Sequence, residues 1–357
     1  MMGEKLNKSE SHEKASSYAR ELLEFLETNR QSLSPLLIMP HDYPDPDALA
    51  AAFALHFLAR ECYGVESRIA YGGVIGRTEN RAMVSILRIP AHRLRPGELK
   101  RYRQVALVDT QPAFENNPFP ANRRAALVID QHDSTVEPAA ERALVDTGCG
   151  ATCVILAQAL LLQNVEIPPP VATALAYGIL SDTLNLYRAE RPDVAQTYLR
   201  ILHRADMRAL ARIQNPTRSK RFFVMLGRCI REAIVCGRLI VVHLGRIENP
   251  DLVSQMAEFL LTYQQSRWSL CTGRYKNTLH VSLRNAKQDG QAGEVLRDAF
   301  THRKQAGGHG AIAGGSLHVG AGASEELWQD QEQRLQERLM KRLRISTKAR
   351  ACKPFVT

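Results

Sequence analysis

Short, nearly unbroken apolar runs alternate with longer segments of helical period through the first half of the chain. LLIM (36–39), SRIAY (67–71), VALVD (105–109), ALVID (126–130) and ALV (143–145) read as strands, and 47–62 and 78–88 between them read as helices. Helical patterns at 150–163, 170–181 and 192–204 follow. Strands with so little polar alternation predict a mostly parallel sheet covered on both faces. Residues 186–233 are rich in arginine, lack strand signals and read as helices leading out of this domain. A second block starts with RLIVVHLG (238–245), then a helix over 250–263 and the paired strands RWSLCTGR and TLHVSLRN. A helix near 291–300, the glycine-rich AGGHGAIAGG and an amphipathic helix over 324–344 complete it. The predicted class is α/β: a mostly parallel sheet flanked by helices, plus a smaller α/β C-terminal domain across a cleft. The pattern divides into an N-terminal helical extension (1–32), a first domain (33–190), a helical linker (191–235), a second domain (236–322) and a C-terminal helix with a basic tail (323–357).

Composition narrows the setting. No run reaches the roughly 18–20 uncharged apolar residues of a membrane span, and the polar start MMGEKLNKSESHEK lacks the apolar core of a secretory signal. A cytoplasmic protein with no membrane partner is expected. The seven cysteines form no CxxC pair and are expected to be reduced; Cys149 and Cys153 read as helix packing. The net charge of +10 favours anionic partners. Much of that charge lies in 199–232 and in the tail MKRLRISTKARACKP, which reads as solvated and frayed.

The candidate chemistry begins at HDYPDPDALAAAFAL (41–55), where a histidine and three acids follow a strand and lead into an alanine-rich helix. In parallel sheets ligands bind beyond the carboxyl ends of the strands, and acids recur there: Asp45 and Asp47, Asp109, and Asp130 followed by His132. A lone aspartate at such a place is usually a turn former or helix cap, and Asp47 could cap the helix that follows it. Convergence of His41, Asp45, Asp47, Asp109, Asp130 and His132 on one sheet edge, with Asp182 from GILSDT, favours a divalent metal. Oxygen donors with a few imidazoles suit Mn²⁺ or Mg²⁺. More than three carboxylates exceeds the need of one ion, and two ions sharing a carboxylate would account for the surplus and suit phosphoester hydrolysis.

In this order, HDYPDPDA, LVDTQ, VIDQHDS and GILSDT resemble the four motifs of the DHH phosphoesterase superfamily, while VSLRN and AGGHGAIAGGS resemble its DHH-associated C-terminal domain. The resemblance spans about residues 35 to 320. It implies that 33–190 is the catalytic metal-binding domain and 236–322 the substrate-binding one. By position it implies His41, Asp45 and Asp109 on one metal, and Asp47, Asp109 and Asp182 on the other, with Asp109 bridging. The third motif reads Asp130-Gln131-His132, so the expected second-site ligand is Gln131 where the family has a histidine, and its neutral amide is a weaker donor. That leaves open a two-metal site with a weak second ion, an enzyme with one permanent ion or a degenerate binding protein, the first being favoured because every aspartate is kept. His132 would face the substrate phosphate, with Asp130 orienting its neighbours. Arg284, Gly307, Gly308 and His309 would contact substrate, the glycines in a loop whose backbone N–H groups approach an anion.

Size and missing parts make the chain most similar to the compact nano-RNase group, which hydrolyses short oligonucleotides or nucleoside bisphosphates with a metal-bound water. An exopolyphosphatase-like hydrolase is the alternative within enzymes. A catalytically weakened nucleotide- or nucleic-acid-binding protein is the alternative that Gln131 motivates. Aromatics make up 6% of the chain and rarely interleave with the basic runs, which favours a short substrate over a long strand. Tyr43 and Tyr187 lie near the motifs, where they could stack on a base or simply pack. A homodimer is compatible with all of these readings.

Overall fold

The computed structural model describes residues 2–120, 122–287, 290–346 and 351–356; the side chains of residues 2–16 and of His309 lie outside the described set. The chain divides into two compact units, Met1–Pro216 and Thr217–Thr357.

The first unit opens with α1 (Met2–Leu33), then β1 (Leu36–Pro40), α2 (Pro46–Phe57), β2 (Ser67–Tyr71), α3 (Thr78–Leu87) and β3 (Ala91–Arg93). Next come β4 (Gln104–Val108), β5 (Ala125–Asp130) and β6 (Ala140–Val145). It closes with α4 (Cys153–Gln163), α5 (Pro169–Asp182), α6 (Pro192–Leu202) and α7 (Met207–Gln214). The strands form one sheet in the order β3-β2-β1-β4-β5-β6, and every pairing in it is parallel. The chain runs β1 to β3 toward one edge and β4 to β6 toward the other. The order therefore reverses between β1 and β4, and the crevice beyond their carboxyl ends is where such sheets place ligands.

Alternation along the strands sorts the core. Leu36, Ile38, Ala106, Val108, Leu127 and Ile129 point into the helical layer, whereas Leu37, Met39, Val105, Leu107 and Val128 point the other way. Both faces are covered, as expected, but the second is covered by connecting segments: Leu94, Leu99, Tyr102 and Phe119 pack there. The three-residue β3 has a single apolar side chain, which is why the apolar pattern does not reveal it.

On the helical side α2 lies close against α5. A Cβ added to Gly178 would sit 2.9 Å from Ala50 Cβ, 3.0 Å from Cys153 Sγ and 3.1 Å from Pro46 O. The alanines of α2 and this glycine thus set the depth of contact. Val194, Ile201, Ala209 and Ile213 of α6 and α7 are buried in the same core, so these helices pack as part of the first unit.

The second unit holds α8 (Lys220–Glu232), β7 (Ile234–Cys236), β8 (Leu239–Arg246), α9 (Asp251–Leu261), β9 (Trp268–Tyr275), β10 (Thr278–Asn285), α10 (Ala292–Ala299), β11 (Ala306–His309), β12 (Ile312–His318) and α11 (Glu325–Arg342). Its sheet order is β11-β12-β10-β9-β8-β7, with β8 and β9 parallel and the other pairs antiparallel. The glycine-rich segment departs from the expected anion-binding loop. Gly307, Gly308 and His309 lie in β11, paired with Gly314, Ala313 and Ile312 of β12. A Cβ on Gly293 of α10 would overlap the Gly308 carbonyl, so these glycines admit a close helix-to-strand approach.

The C-terminal segment also departs from expectation. Cys352 bridges to Val235 on β7, Lys353 Nζ lies 2.8 Å from Glu232 Oε2, and Phe355 meets the Tyr263 ring edge-on. An open strand edge offers unpaired N–H and C=O groups, and this segment takes up part of that edge.

Candidate metal centre

The site is built at the reversal point. Asp45 caps α2, its Oδ1 accepting from Ala48 N at 3.0 Å, with Pro46 as the first helical residue. His41, just past β1, brings Nε2 within 3.5 Å of Asp109 Oδ2 and 3.8 Å of Asp45 Oδ1. Asp109 follows β4 with φ of 58°, a left-handed conformation that turns the chain as β4 ends. His41, Asp45 and Asp109 each offer one ligand atom, and these atoms all lie within 4.8 Å of one another. Asp109, Asp130 and His132 form a second such group. Two carboxylates and an imidazole at that spacing fit a hard divalent cation.

Asp130 is fully buried and its oxygens are taken. Oδ1 accepts from Gln131 N and contacts His132 Nδ1, both at 2.8 Å, and Oδ2 accepts from Gln111 Nε2 at 2.8 Å. Asp130 therefore fixes the His132 ring, whose Nε2 has no hydrogen-bond partner among the described residues. Asp47 is also fully buried, and it serves a different helix from the one expected. Its Oδ1 accepts from Cys153 N at 2.8 Å and its Oδ2 from Thr152 N at 2.6 Å, at the start of α4. Asp182, at the end of α5, accepts from Gln131 Nε2 at 2.5 Å, and the same nitrogen lies 3.3 Å from Asp47 Oδ2.

Crowded acids explain the electrostatics. Burial, then the charges of Asp109, Asp182 and Asp45, push the Asp47 carboxyl well above the usual range. Burial and Asp45 push Asp109 up to about 7, against the pull of His41 and His132. Burial raises Asp182 too. For His41 burial opposes the charge, but Asp45 and Asp109 raise its pKa to about 10. The hydrogen bond to Asp130 raises His132 to about 9. Such a pocket attracts positive charge strongly.

Gln111, Thr152 and Arg191 were not singled out from sequence. Thr152 Oγ1 donates to Asp109 Oδ1 at 2.7 Å. Arg191 joins Asp146 at 2.8 Å and Asp193 at 3.1 Å, securing the turn that leads into α4. The small-residue run TGCGATC before an apolar helix was the available signal for Thr152. Arg284, expected on substrate, is buried; its guanidinium lies 3.2 Å from Glu258 Oε1 and donates to the carbonyls of Leu283 and Ala313. For His309 only the backbone, in β11, is described.

The DHH family N-terminal domain matches residues 35–179. This part of the chain is a DHH domain. The matched range contains His41, Asp45, Asp47, Asp109, Asp130 and His132, and Asp182 lies just past it. An uncharacterized protein of Methanocaldococcus jannaschii is 33% identical over 298 residues, 82% of this chain and 60% of that protein. A probable manganese-dependent inorganic pyrophosphatase of Enterococcus faecalis is 28% identical over 156 residues, 43% of this chain and 49% of that protein. The chain thus spans about half to three-fifths of the length of these curated relatives. The crystal structure of an exopolyphosphatase-related protein from Bacteroides fragilis aligns over 92% of this chain and 98% of its own, with a TM-score of 0.67 and 14% identity. That likeness extends the shared fold across both units. Among the described residues, no helix is long and apolar enough to cross a membrane.

Proposed function

We propose that the chain is a divalent-metal-dependent phosphohydrolase acting on short oligonucleotides or nucleoside bisphosphates. The observation that carries this reading is the convergence of His41, Asp45 and Asp109 at the sheet's reversal point, beside a His132 held by Asp130. The ion would supply charge neutralisation and an acidified water at neutral pH. Manganese is the first ion to test, because the Enterococcus faecalis relative is named as manganese-dependent.

The chain's own residues supply the rest. His41, Asp45 and Asp109 hold the ion, and Asp130 fixes the His132 ring so that Nε2–H can donate to a phosphate oxygen as charge builds there. The second unit suits an anionic substrate: residues 217–357 hold 23 lysines and arginines against 12 acids, whereas residues 1–216 hold 24 against 25. Arg284 would reach such a substrate only by leaving Glu258. Tyr43 and Tyr187 are 66% and 81% exposed and offer ring faces, which a nucleobase can use and polyphosphate cannot.

A second reading, hydrolysis of pyrophosphate or polyphosphate, is favoured by the names of the Enterococcus and Bacteroides relatives. One panel separates the two: diribonucleotides, a nucleoside bisphosphate, pyrophosphate and polyphosphate, each with Mn²⁺, on wild type and Asp109→Asn. Turnover of the nucleotides alone, abolished in the variant, is the expected result. Activity that survives Asp109→Asn would overturn the assignment, and binding without turnover would leave a nucleotide-binding protein.

A further inference from the structure

The surplus of acids suggested a second ion between Asp47, Asp109 and Asp182, but the donors of this chain already fill that space. Gln131 Nε2 lies 2.5 Å from Asp182 Oδ2 and 3.3 Å from Asp47 Oδ2, so one amide nitrogen bridges a buried carboxylate, Asp47, and a half-buried one, Asp182. Asp47 also accepts from the backbone N–H groups of Thr152 and Cys153, one on each oxygen. Asp109 Oδ1 accepts the Thr152 hydroxyl at 2.7 Å. Chemistry fixes which end of the amide points inward. A carbonyl oxygen placed there would face carboxylate oxygens and repel them, whereas the –NH₂ group has two hydrogens for two acceptors. A cation at the same place would have to displace that group and find its oxygens turned toward N–H and O–H donors.

We propose that the centre binds one divalent cation, at His41, Asp45 and Asp109, and that the Gln131 side chain stands where a second ion would, cross-linking Asp47 to Asp182 without a charge. This rests on the metal-centre reading above. On this account Asp47 and Asp182 are positioning residues, anchoring α4 and α5 to the loop after β5, and they hold their places before any ion arrives. Gln131 is likewise a positioning residue.

The test is metal stoichiometry on the purified, metal-stripped full chain, by calorimetric titration with Mn²⁺ alone and electron paramagnetic resonance of the loaded protein. One ion per chain, with an uncoupled manganese spectrum, is expected for wild type. Two spin-coupled ions in wild type would overturn this proposal and leave the phosphohydrolase reading standing. No binding would overturn both. Gln131→His replaces the bridging donor with a ring nitrogen that can ligate, and its stoichiometry should rise to two. A value of one in that variant would show that Gln131 does not exclude the second ion. Gln131→Ala is the companion measurement: the metal-free protein should melt at a lower temperature, because the buried Asp47 and the half-buried Asp182 lose a shared donor. An unchanged midpoint would refute the cross-link.

Discussion

Thr152 stands beside Asp109: its hydroxyl donates to Oδ1 at 2.7 Å, while its backbone N–H donates to Asp47 Oδ2 at 2.6 Å. One residue at the start of α4 therefore orients a candidate metal ligand and fastens a neighbouring acid. Thr152→Val keeps the backbone bond and removes the hydroxyl. Residues that orient metal ligands typically change affinity about 10- to 100-fold when lost, and an unsatisfied buried acceptor costs roughly 1–3 kcal/mol. The variant should bind Mn²⁺ correspondingly more weakly in a calorimetric titration, with Thr152→Ser close to wild type. Equal affinity in all three proteins would show that the hydroxyl does not position Asp109.

Gly178 lets α5 approach α2, and α5 carries Asp182 at its end. In an open helix, Gly178→Ala would stabilise by about 1 kcal/mol through helix propensity. Here the added methyl would meet Ala50, Cys153 and the Pro46 carbonyl at 3.1 Å or less, and overpacking of that kind costs roughly 1–3 kcal/mol. The sign of the change in denaturant unfolding decides between them. Destabilisation is expected, and a more stable variant would mean that the two helices have room to spare.

His56 couples stability to pH. It is buried on α2 with Nδ1 2.8 Å from Ser67 Oγ, and burial, followed by the charge of Arg60, pushes its pKa down to about 4. In the unfolded chain an imidazole titrates near 6.5. Between those values the unfolded chain takes up a proton that the folded chain refuses, so stability falls as pH falls through this window and is fully present above it. Thermal midpoints at pH 7 and pH 5 should drop further for wild type than for His56→Gln. Equal drops would mean that His56 is protonated in the fold.

Much of this architecture was legible in the sequence because burial writes itself as period. The apolar runs LLIM and VALV, with His41 and Asp109 just beyond them, placed β1 and β4 and the edge at which His41, Asp45 and Asp109 meet. The features that were not legible depend on long-range contacts. Glycine reads locally as a turn, yet Gly307 and Gly308 form a strand because β12 pairs with them and Gly293 admits the helix beside them. A neutral amide at Gln131 could be read as a weak ligand, since a one-dimensional chain does not show that two acids will face its nitrogen. Likewise, Asp47 seemed able to cap its own helix, and only the fold brings the start of α4 to it.

Beyond Asp182 the chain makes a turn that few sequences adopt. Leu184, Asn185 and Leu186 have φ values of 50°, 57° and 69°, three left-handed residues in succession where L-residues ordinarily tolerate one. Specific bonds hold the strain: Asn185 N donates to Leu180 O at 2.8 Å, Leu186 N to Thr183 Oγ1 at 3.0 Å, and Arg188 N to Thr183 O at 2.9 Å. Strain maintained next to a candidate site suggests a placement worth its cost, and the residue it presents is Tyr187, 81% exposed. If that ring stacks on a nucleobase, its removal forfeits roughly 1–3 kcal/mol of ground-state binding. Tyr187→Ala should then raise KM for a diribonucleotide about fivefold or more while leaving kcat, the thermal midpoint and any pyrophosphate hydrolysis unchanged. A loss shared equally by pyrophosphate would place Tyr187 in the support of Asp182, and an unchanged KM would remove it from substrate binding.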